Sequence, residues 1–371
     1  MAEPRPLAFF HTHIAPEAVE RVRAVLESGW VGEGEVVKEF EAALADMLGL
    51  ANPVTLNSGT AALHLALFLA GVGPGDEVVI PPQTFVATGM AVLMQGAAPV
   101  FADIDPETGN MSPDSFSEKV TVRTKAVIPV HWGGLPCDLD PITAVAAEHG
   151  ITVIEDAAHA LGATYKGRPI GSISRFTAFS FQAIKHLTTG DGGALCCIAP
   201  EDADQARSAR WFGIDRASVT RSVVGDRQFE IDAPGFKYHM NNLAAAIGLG
   251  NLSDLQARLD RRKETGARYR AELADVPGLA LPRLDDGYGH AYWLFTVTVD
   301  DRETFALAMR SRRVPTSVVD TRIDAHPVFG GLCSDLPGAS WFDARQIALP
   351  VHEALTEDDI GRIVAAVQAG W

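Results

Sequence analysis

Lys185 stands in the stretch Ser180-Phe181-Gln182-Ala183-Ile184-Lys185-His186-Leu187-Thr188-Thr189-Gly190-Asp191-Gly192-Gly193, between a strand-like run and a glycine-rich stop. A lysine attacks a carbonyl carbon only after losing its proton, and burial or nearby positive charge lowers its pKa in that direction. Such an amine can hold an aldehyde as a Schiff base. Once displaced, it can carry a proton between two carbons. Two other stretches bear chemistry of a matching kind. Asp156 closes the strand-like Val153-Ile154-Glu155-Asp156 ahead of Ala157-Ala158-His159, and Asn57-Ser58-Gly59-Thr60 opens the helix-forming run Ala61 to Leu67.

The three stretches supply what pyridoxal phosphate needs. Backbone N–H groups at Gly59 and Thr60 at a helix start point at an anion, and the Thr60 and Ser180 hydroxyls add donors for a phosphate. A carboxylate at Asp156 can keep a pyridine nitrogen protonated, so that the ring accepts electrons from a developing carbanion. Phe85 and His159 are candidates for the two faces of that ring. Each feature also has a plain structural reading: a turn with a threonine cap, an aspartate capping the next turn, a core phenylalanine, a satisfied interior histidine. Glu155 points to the opposite face of its strand from Asp156 and carries no chemistry here.

These residues need elements to position them. Pro16 suits a first helical turn, followed by Val19, Val22, Val25 and Leu26 at helical spacing and a stop at Gly29. A second amphipathic helix is expected from about Glu35 to Leu48, capped by Gly49. From Pro53 strand and helix patterns alternate. Strands are expected at Val54–Leu56, Glu77–Ile80, Pro99–Ile104, Ala126–Val130, Thr152–Glu155, Phe176–Phe181 and Ala194–Ile198. Helices are expected at Phe85–Gln95, Ser112–Val120 and Pro141–His149. This predicts an α/β fold with a mostly parallel sheet covered on both faces, with ligands gathering at the strands' carboxyl ends. A long helix from roughly Asn242 to Leu273 reads as a connector, and the remainder as a compact α+β unit. The expected division is a large cofactor-binding domain over residues 1–250 and a smaller C-terminal domain over 251–371.

The formal charge of −16 argues against nucleic acid or an acidic membrane surface as the main partner. No apolar stretch reaches membrane-spanning length, and the amino terminus lacks a secretory pattern. The four cysteines, Cys137, Cys196, Cys197 and Cys333, show no metal-ligand spacing. A cytoplasmic protein is expected. His11 and His13 lie two apart with no further ligands, so no metal is expected. No complete GxGxxG follows a strand, and no Walker sequence occurs.

Taken together, Ser28 to Gly34, Asn57 to Leu63, Thr84-Phe85-Val86-Ala87-Thr88, Glu155 to His159 and Ser180 to Gly193 resemble the DegT/DnrJ/EryC1/StrS sugar aminotransferases, pyridoxal phosphate enzymes of fold type I. The resemblance spans nearly the whole chain. It implies Lys185 as the Schiff-base lysine and Asp156 as the partner of the pyridine nitrogen. It further implies Gly59, Thr60 and Ser180 as phosphate ligands, and His159 and Phe85 as ring-stacking residues. Where the family often reads Gly-Tyr-Asn-Tyr-Arg-Met, this chain has Gly235-Phe236-Lys237-Tyr238-His239-Met240. Lys237 is a reasonable replacement for the asparagine that reaches the neighbouring subunit's cofactor phosphate, as a point charge. A homodimer with two shared active sites is implied.

By the same resemblance the acceptor is a nucleotide-linked keto sugar and the donor glutamate. Gln182 to Gly190, with its Thr188-Thr189 pair, is more similar to sugar C4 than C3 enzymes, favouring a 4-keto-6-deoxyhexose. C3 keto sugars and keto-cyclitols are the alternatives, with a non-catalytic cofactor-binding regulator behind them. A nucleotide diphosphate needs local cations, for which Arg221, Arg227, Arg322 and His326 are candidates. His131-Trp132-Gly133-Gly134 follows a strand and is a candidate wall of the sugar pocket.

Overall fold

The structure is a computed structural model, and it describes residues 6–216 and 218–371. The first five residues of the N-terminal segment and Ala217 lie outside the described residues. Helix α1 (Pro16–Ser28) begins with proline in its first turn and ends at Gly29, whose φ of 70° is the left-handed cap that glycine supplies without strain. Helix α2 (Glu35–Leu48) ends in the same way at Gly49.

Among the described residues, seven strands form the main sheet: β1 (Val54–Leu56), β2 (Glu77–Ile80), β3 (Ala98–Phe101), β4 (Thr124–Val127), β5 (Thr152–Asp156), β6 (Phe176–Ser180) and β7 (Gly193–Cys197). Their order across the sheet is β1-β7-β6-β5-β4-β2-β3. Strand β7 runs against both its neighbours, and the other pairings are parallel. Alternate side chains sort to the two faces. Val78, Ile80, Ile154 and Ala178 join one apolar cluster with helix α3 (Gly59–Leu69) and helix α4 (Val86–Met94). Val79, Val153 and Phe179 join another with α2. Burial on both faces explains the near-continuous apolar strands.

The long helix expected from Asn242 to Leu273 is two helices, Asn242–Leu252 and Leu255–Leu273. The Ser253 hydroxyl donates to the Gly250 carbonyl, and the Arg258 guanidinium donates to the Asn251 carbonyl. Side chains thus satisfy backbone acceptors where the ladder is interrupted. The break lies near residue 250, where we propose that the large domain gives way to the small one. Beyond it a three-stranded antiparallel sheet, Leu279–Ala280, Phe295–Val299 and Gln346–Leu349, carries a third apolar cluster that includes Tyr269, Phe305 and Ile363. Trp293, Ile323 and Phe342 instead pack into the main-sheet cluster and bring C-terminal loops over it. No helix among the described residues is long and apolar enough to cross a membrane.

Candidate active site

Strands β1, β5 and β6 run in one direction and end on one edge of the sheet, so Asn57–Thr60, Asp156 and Ser180 meet there. The closeness depends on glycine. A Cβ at Gly193 would lie 2.6 Å from the Gly59 nitrogen and from the Phe179 carbonyl oxygen, far inside contact distance. A Cβ at Gly59 would lie 3.0 Å from the Ser180 Cβ. The start of α3 therefore tucks against the end of β6. Ser58 caps it, accepting from the Ala61 N–H at 3.0 Å.

This edge opens into a cavity of about 540 Å³ whose walls include Gly59, Thr60, Phe85, Asp156, His159, Ser180 and Lys185. The Asp156 carboxylate is buried, accepting from the Thr88 hydroxyl at 2.8 Å and the Ala158 N–H at 3.1 Å. Burial raises its pKa, and those two hydrogen bonds then Lys185 act against the rise. Burial pushes the Lys185 ammonium down to about 7, opposed by the charges of Asp156 and Asp320. Near neutrality a substantial share of this amine is unprotonated and nucleophilic.

Two aromatic rings complete the centre. The His159 ring stacks on Trp293 at 3.7 Å between centroids, and the Lys185 Nζ lies 3.6 Å from the centroid of the same indole. Burial and then the Lys185 charge hold the His159 imidazole well below its ordinary pKa, so it is neutral. Its Nδ1 is buried with no hydrogen-bond partner. Phe85 lines the cavity from the cap of α4 and remains 57% exposed, so it is not a core phenylalanine.

The sequence pattern of the DegT/DnrJ/EryC1/StrS aminotransferase family matches residues 12–368. The chain belongs to that family. The spore coat polysaccharide biosynthesis protein SpsC of Bacillus subtilis is 41% identical over 367 residues, covering 96% of this chain and 94% of SpsC. The sugar aminotransferase CalS13 from Micromonospora echinospora is 36% identical with a TM-score of 0.93, covering 98% of this chain and 100% of CalS13. The putative sugar aminotransferase Spr1654 from Streptococcus pneumoniae, in its PLP-form, is 29% identical with a TM-score of 0.90, covering 98% of each chain. The protein is accordingly a fold type I aminotransferase whose cofactor is pyridoxal phosphate.

Other expected residues of the aminotransferase lie away from the cavity. His131 is fully buried, against the expectation that it walls the sugar pocket. Its Nδ1 accepts the Cys137 N–H at 3.0 Å, which leaves Nε2 to donate to Glu155 at 2.8 Å. Arg322 is buried too, against the expectation of a free phosphate-binding cation. It donates twice to Asp324 and also to Ser340 and the Cys333 carbonyl, so its fork is already engaged. Arg221 and Arg227 face each other across an exposed two-stranded hairpin, and His326 is exposed between two short 3-10 turns. None of these three lines the cavity.

Lys237 is exposed, 5.8 Å from the Trp211 ring, and its carbonyl accepts from the Asn57 side chain at 3.4 Å. It does not line its own chain's cavity. Thr188 and Thr189 are buried and bond to the carbonyls of Phe181 and Asp191, shaping the lysine loop without reaching the cavity. Cavity residues that sequence reasoning missed include Phe10, Trp293, Val319 and Asp320, with Thr88 behind Asp156. Only Thr88 had a local signal, since its i, i+4 spacing from Thr84 at the start of a helix lets the two hydroxyls meet at 2.7 Å.

Proposed function

We propose that the enzyme transfers an amino group from glutamate to a nucleotide-linked keto sugar, with carbon 4 of a 4-keto-6-deoxyhexose as the favoured position. One observation carries the amino-transfer chemistry: Lys185 and Asp156 share one cavity with the N-terminus of α3. The sugar class rests on the relatives, among them a polysaccharide biosynthesis protein and a sugar aminotransferase. Carbon 4 is favoured by the resemblance of the lysine loop alone.

The residues present fit pyridoxal phosphate. Gly59 lets the start of α3 close on Ser180, which gathers the backbone N–H groups of the helix start and the Thr60 and Ser180 hydroxyls at one wall of the cavity where an anion can meet them. The unpartnered His159 Nδ1 marks a buried polar edge in the wall that a ligand group can satisfy. Lys185 would hold the cofactor through its aldehyde, Asp156 would hold the pyridine nitrogen, and His159 and Phe85 would bound the ring. When bound, the cofactor supplies an electron sink for the carbon that loses its proton. Asp156, fixed by Thr88 and the Ala158 amide, would present its charge to the ring nitrogen. Lys185, once displaced, moves that proton on Nζ, and its lowered pKa suits the task at neutral pH. The apolar walls, Phe10, Leu63, Val130 and Val319, limit water around the reacting atoms.

The sites are shared in a homodimer on this reading. Lys237, exposed and outside the lining of its own cavity, serves the partner's cofactor phosphate, and the exposed Arg221 and Arg227 present cations to the partner's nucleotide. Free cysteines throughout the described chain fit a reducing, cytoplasmic setting. The test is to incubate the pyridoxamine phosphate form with nucleotide-linked 4-keto and 3-keto sugars and keto-cyclitols, following cofactor absorbance. Return of the pyridoxal spectrum with the 4-keto sugar supports the reading; return only with another member reassigns the substrate.

A further inference from the structure

Asp320 and Asp191 are the two lining carboxylates to which the cofactor reading gives no role, and of these it is Asp320 whose charge bears on both Lys185 and Asp156. It follows Val319 in a C-terminal segment, and both residues line the same cavity as Lys185 and Asp156. Its backbone is held in place by two fully buried glutamines: its carbonyl accepts from Gln83 Nε2 at 2.9 Å and from Gln346 Nε2 at 3.0 Å. The two amides come from before and after the segment, 237 and 26 residues away in the chain, so its orientation is specified by tertiary structure. No described side chain makes a hydrogen bond or salt bridge to the Asp320 carboxylate. The charges that bear on it are those of Lys185 and Asp156. Burial raises its pKa, Lys185 lowers it, and Asp156 raises it again.

The choice of ligand follows from donor and acceptor chemistry. An ionised carboxylate is an acceptor only, with two oxygens and about four lone-pair sites. It repels the carboxylates of an amino-acid donor and any phosphate, so it is misplaced for either anion. It is well matched to the hydroxyls of a sugar ring, especially two neighbouring ones. In a cavity whose other walls are largely apolar, such a hydrogen bond to a charged acceptor is retained from competition with water.

We propose that Asp320 is a specificity-determining residue that accepts a ring hydroxyl of the sugar next to the carbon undergoing amination. This rests on the keto-sugar reading above. A neutral residue of similar shape should keep the fold; losing the charge lets the Lys185 pKa fall further, a change common to both half-reactions, whereas weakened recognition of the sugar appears in one of them alone.

The experiment measures the two half-reactions separately in the holoenzyme and its Asp320→Asn and Asp320→Ala variants, by single-turnover cofactor absorbance. Glutamate converts the pyridoxal form, and a keto-sugar nucleotide converts the pyridoxamine form. Any change carried through Lys185 should appear equally in both halves, and kcat/KM of the sugar half should fall ~10- to 100-fold beyond it, the worth of a hydrogen bond to a charged group. Sugar analogues lacking one ring hydroxyl close the cycle: with the analogue lacking the contacted hydroxyl, parent and variants should react alike. Equal loss in both halves would assign Asp320 to Lys185 or to structure and overturn the proposal. So would an unchanged sugar half, or a loss confined to the glutamate half, which would make Asp320 a ligand of the donor's ammonium. A parent that reacts with glutamate yet with no keto sugar removes the substrate reading itself, and this proposal with it.

Discussion

Thr88 donates its hydroxyl to Oδ2 of Asp156 at 2.8 Å, and Thr84 meets that same hydroxyl at 2.7 Å. A chain of two threonines from the start of α4 thus fixes the carboxylate that faces the cavity from the end of β5. Hydrogen bonds to a charged group are worth ~1.5–3 kcal/mol. Replacing Thr88 by Val keeps the shape and removes the donor. Cofactor dissociation constants, measured by titration of the cofactor-free enzyme, should rise ~10-fold or more for Thr88→Val on that scale. Asp156→Ala should lose turnover altogether. An unchanged constant for Thr88→Val would show that the bond does not orient Asp156.

Lys185 titrates near 7 in the fold and near 10.5 when exposed. Between those values the unfolded chain binds more protons, so the cofactor-free protein gains stability from this group as pH rises from about 7 toward 10.5. Below about 7 the full penalty of the buried charge remains, set by burial and offset by Asp156 and Asp320. Lys185→Met should therefore raise the melting temperature of the cofactor-free protein by several degrees at pH 6–7, with the gap closing toward pH 10. Scanning calorimetry across that range checks it. A gap independent of pH would contradict the burial argument. The same variant, like Lys185→Ala, should show no amino transfer.

At Gly59 any side chain meets Ser180, with the new Cβ 3.0 Å from the Ser180 Cβ and 3.3 Å from its Cα. These atoms belong to a strand end and cannot rotate aside. Gly59→Ala should cost ~1–3 kcal/mol of stability through overpacking. It should also weaken pyridoxal phosphate more than pyridoxal, because the displaced helix start is where backbone N–H groups face the anion. Equal weakening of both compounds would place the phosphate elsewhere.

Shared sites make a prediction that needs two variants together. In a mixed dimer of Lys185→Ala and Lys237→Ala subunits, the second subunit keeps its own Lys185 and receives Lys237 from the first. One intact site per mixed dimer should return about a quarter of parental activity after equal mixing and subunit exchange, half the dimers being mixed. Each variant alone should be weak or inactive. Absence of recovery, with exchange confirmed by native mass spectrometry, would place Lys237 outside the partner's site. A fully active monomer in sedimentation would remove the shared-site reading entirely.

Much of this protein is legible from local sequence because the relevant forces are local. Alternating apolar runs and turn residues mark the strands and helices of the main sheet, and the ends of β1, β5 and β6 place Asn57 to Thr60, Asp156 and Ser180 at one edge. Lys185 is conspicuous by its company in the chain. The long helix expected from Asn242 to Leu273 is interrupted where Ser253 and Arg258 satisfy carbonyls that a continuous ladder would have used, through side-chain hydrogen bonds that helical periodicity does not encode. Burial and pairing were invisible for the same reason. His131 is spent on Glu155 and Arg322 on Asp324, partners that decide whether a polar residue can serve a ligand. What only the tertiary structure decided is the far wall of the cavity. Trp293 stacks on His159, and Asp320 is held by Gln83 and Gln346, across chain separations at which sequence carries no periodic signal. The chain's own order proposes the cofactor chemistry; the packing of distant segments decides which charges and rings surround the amine.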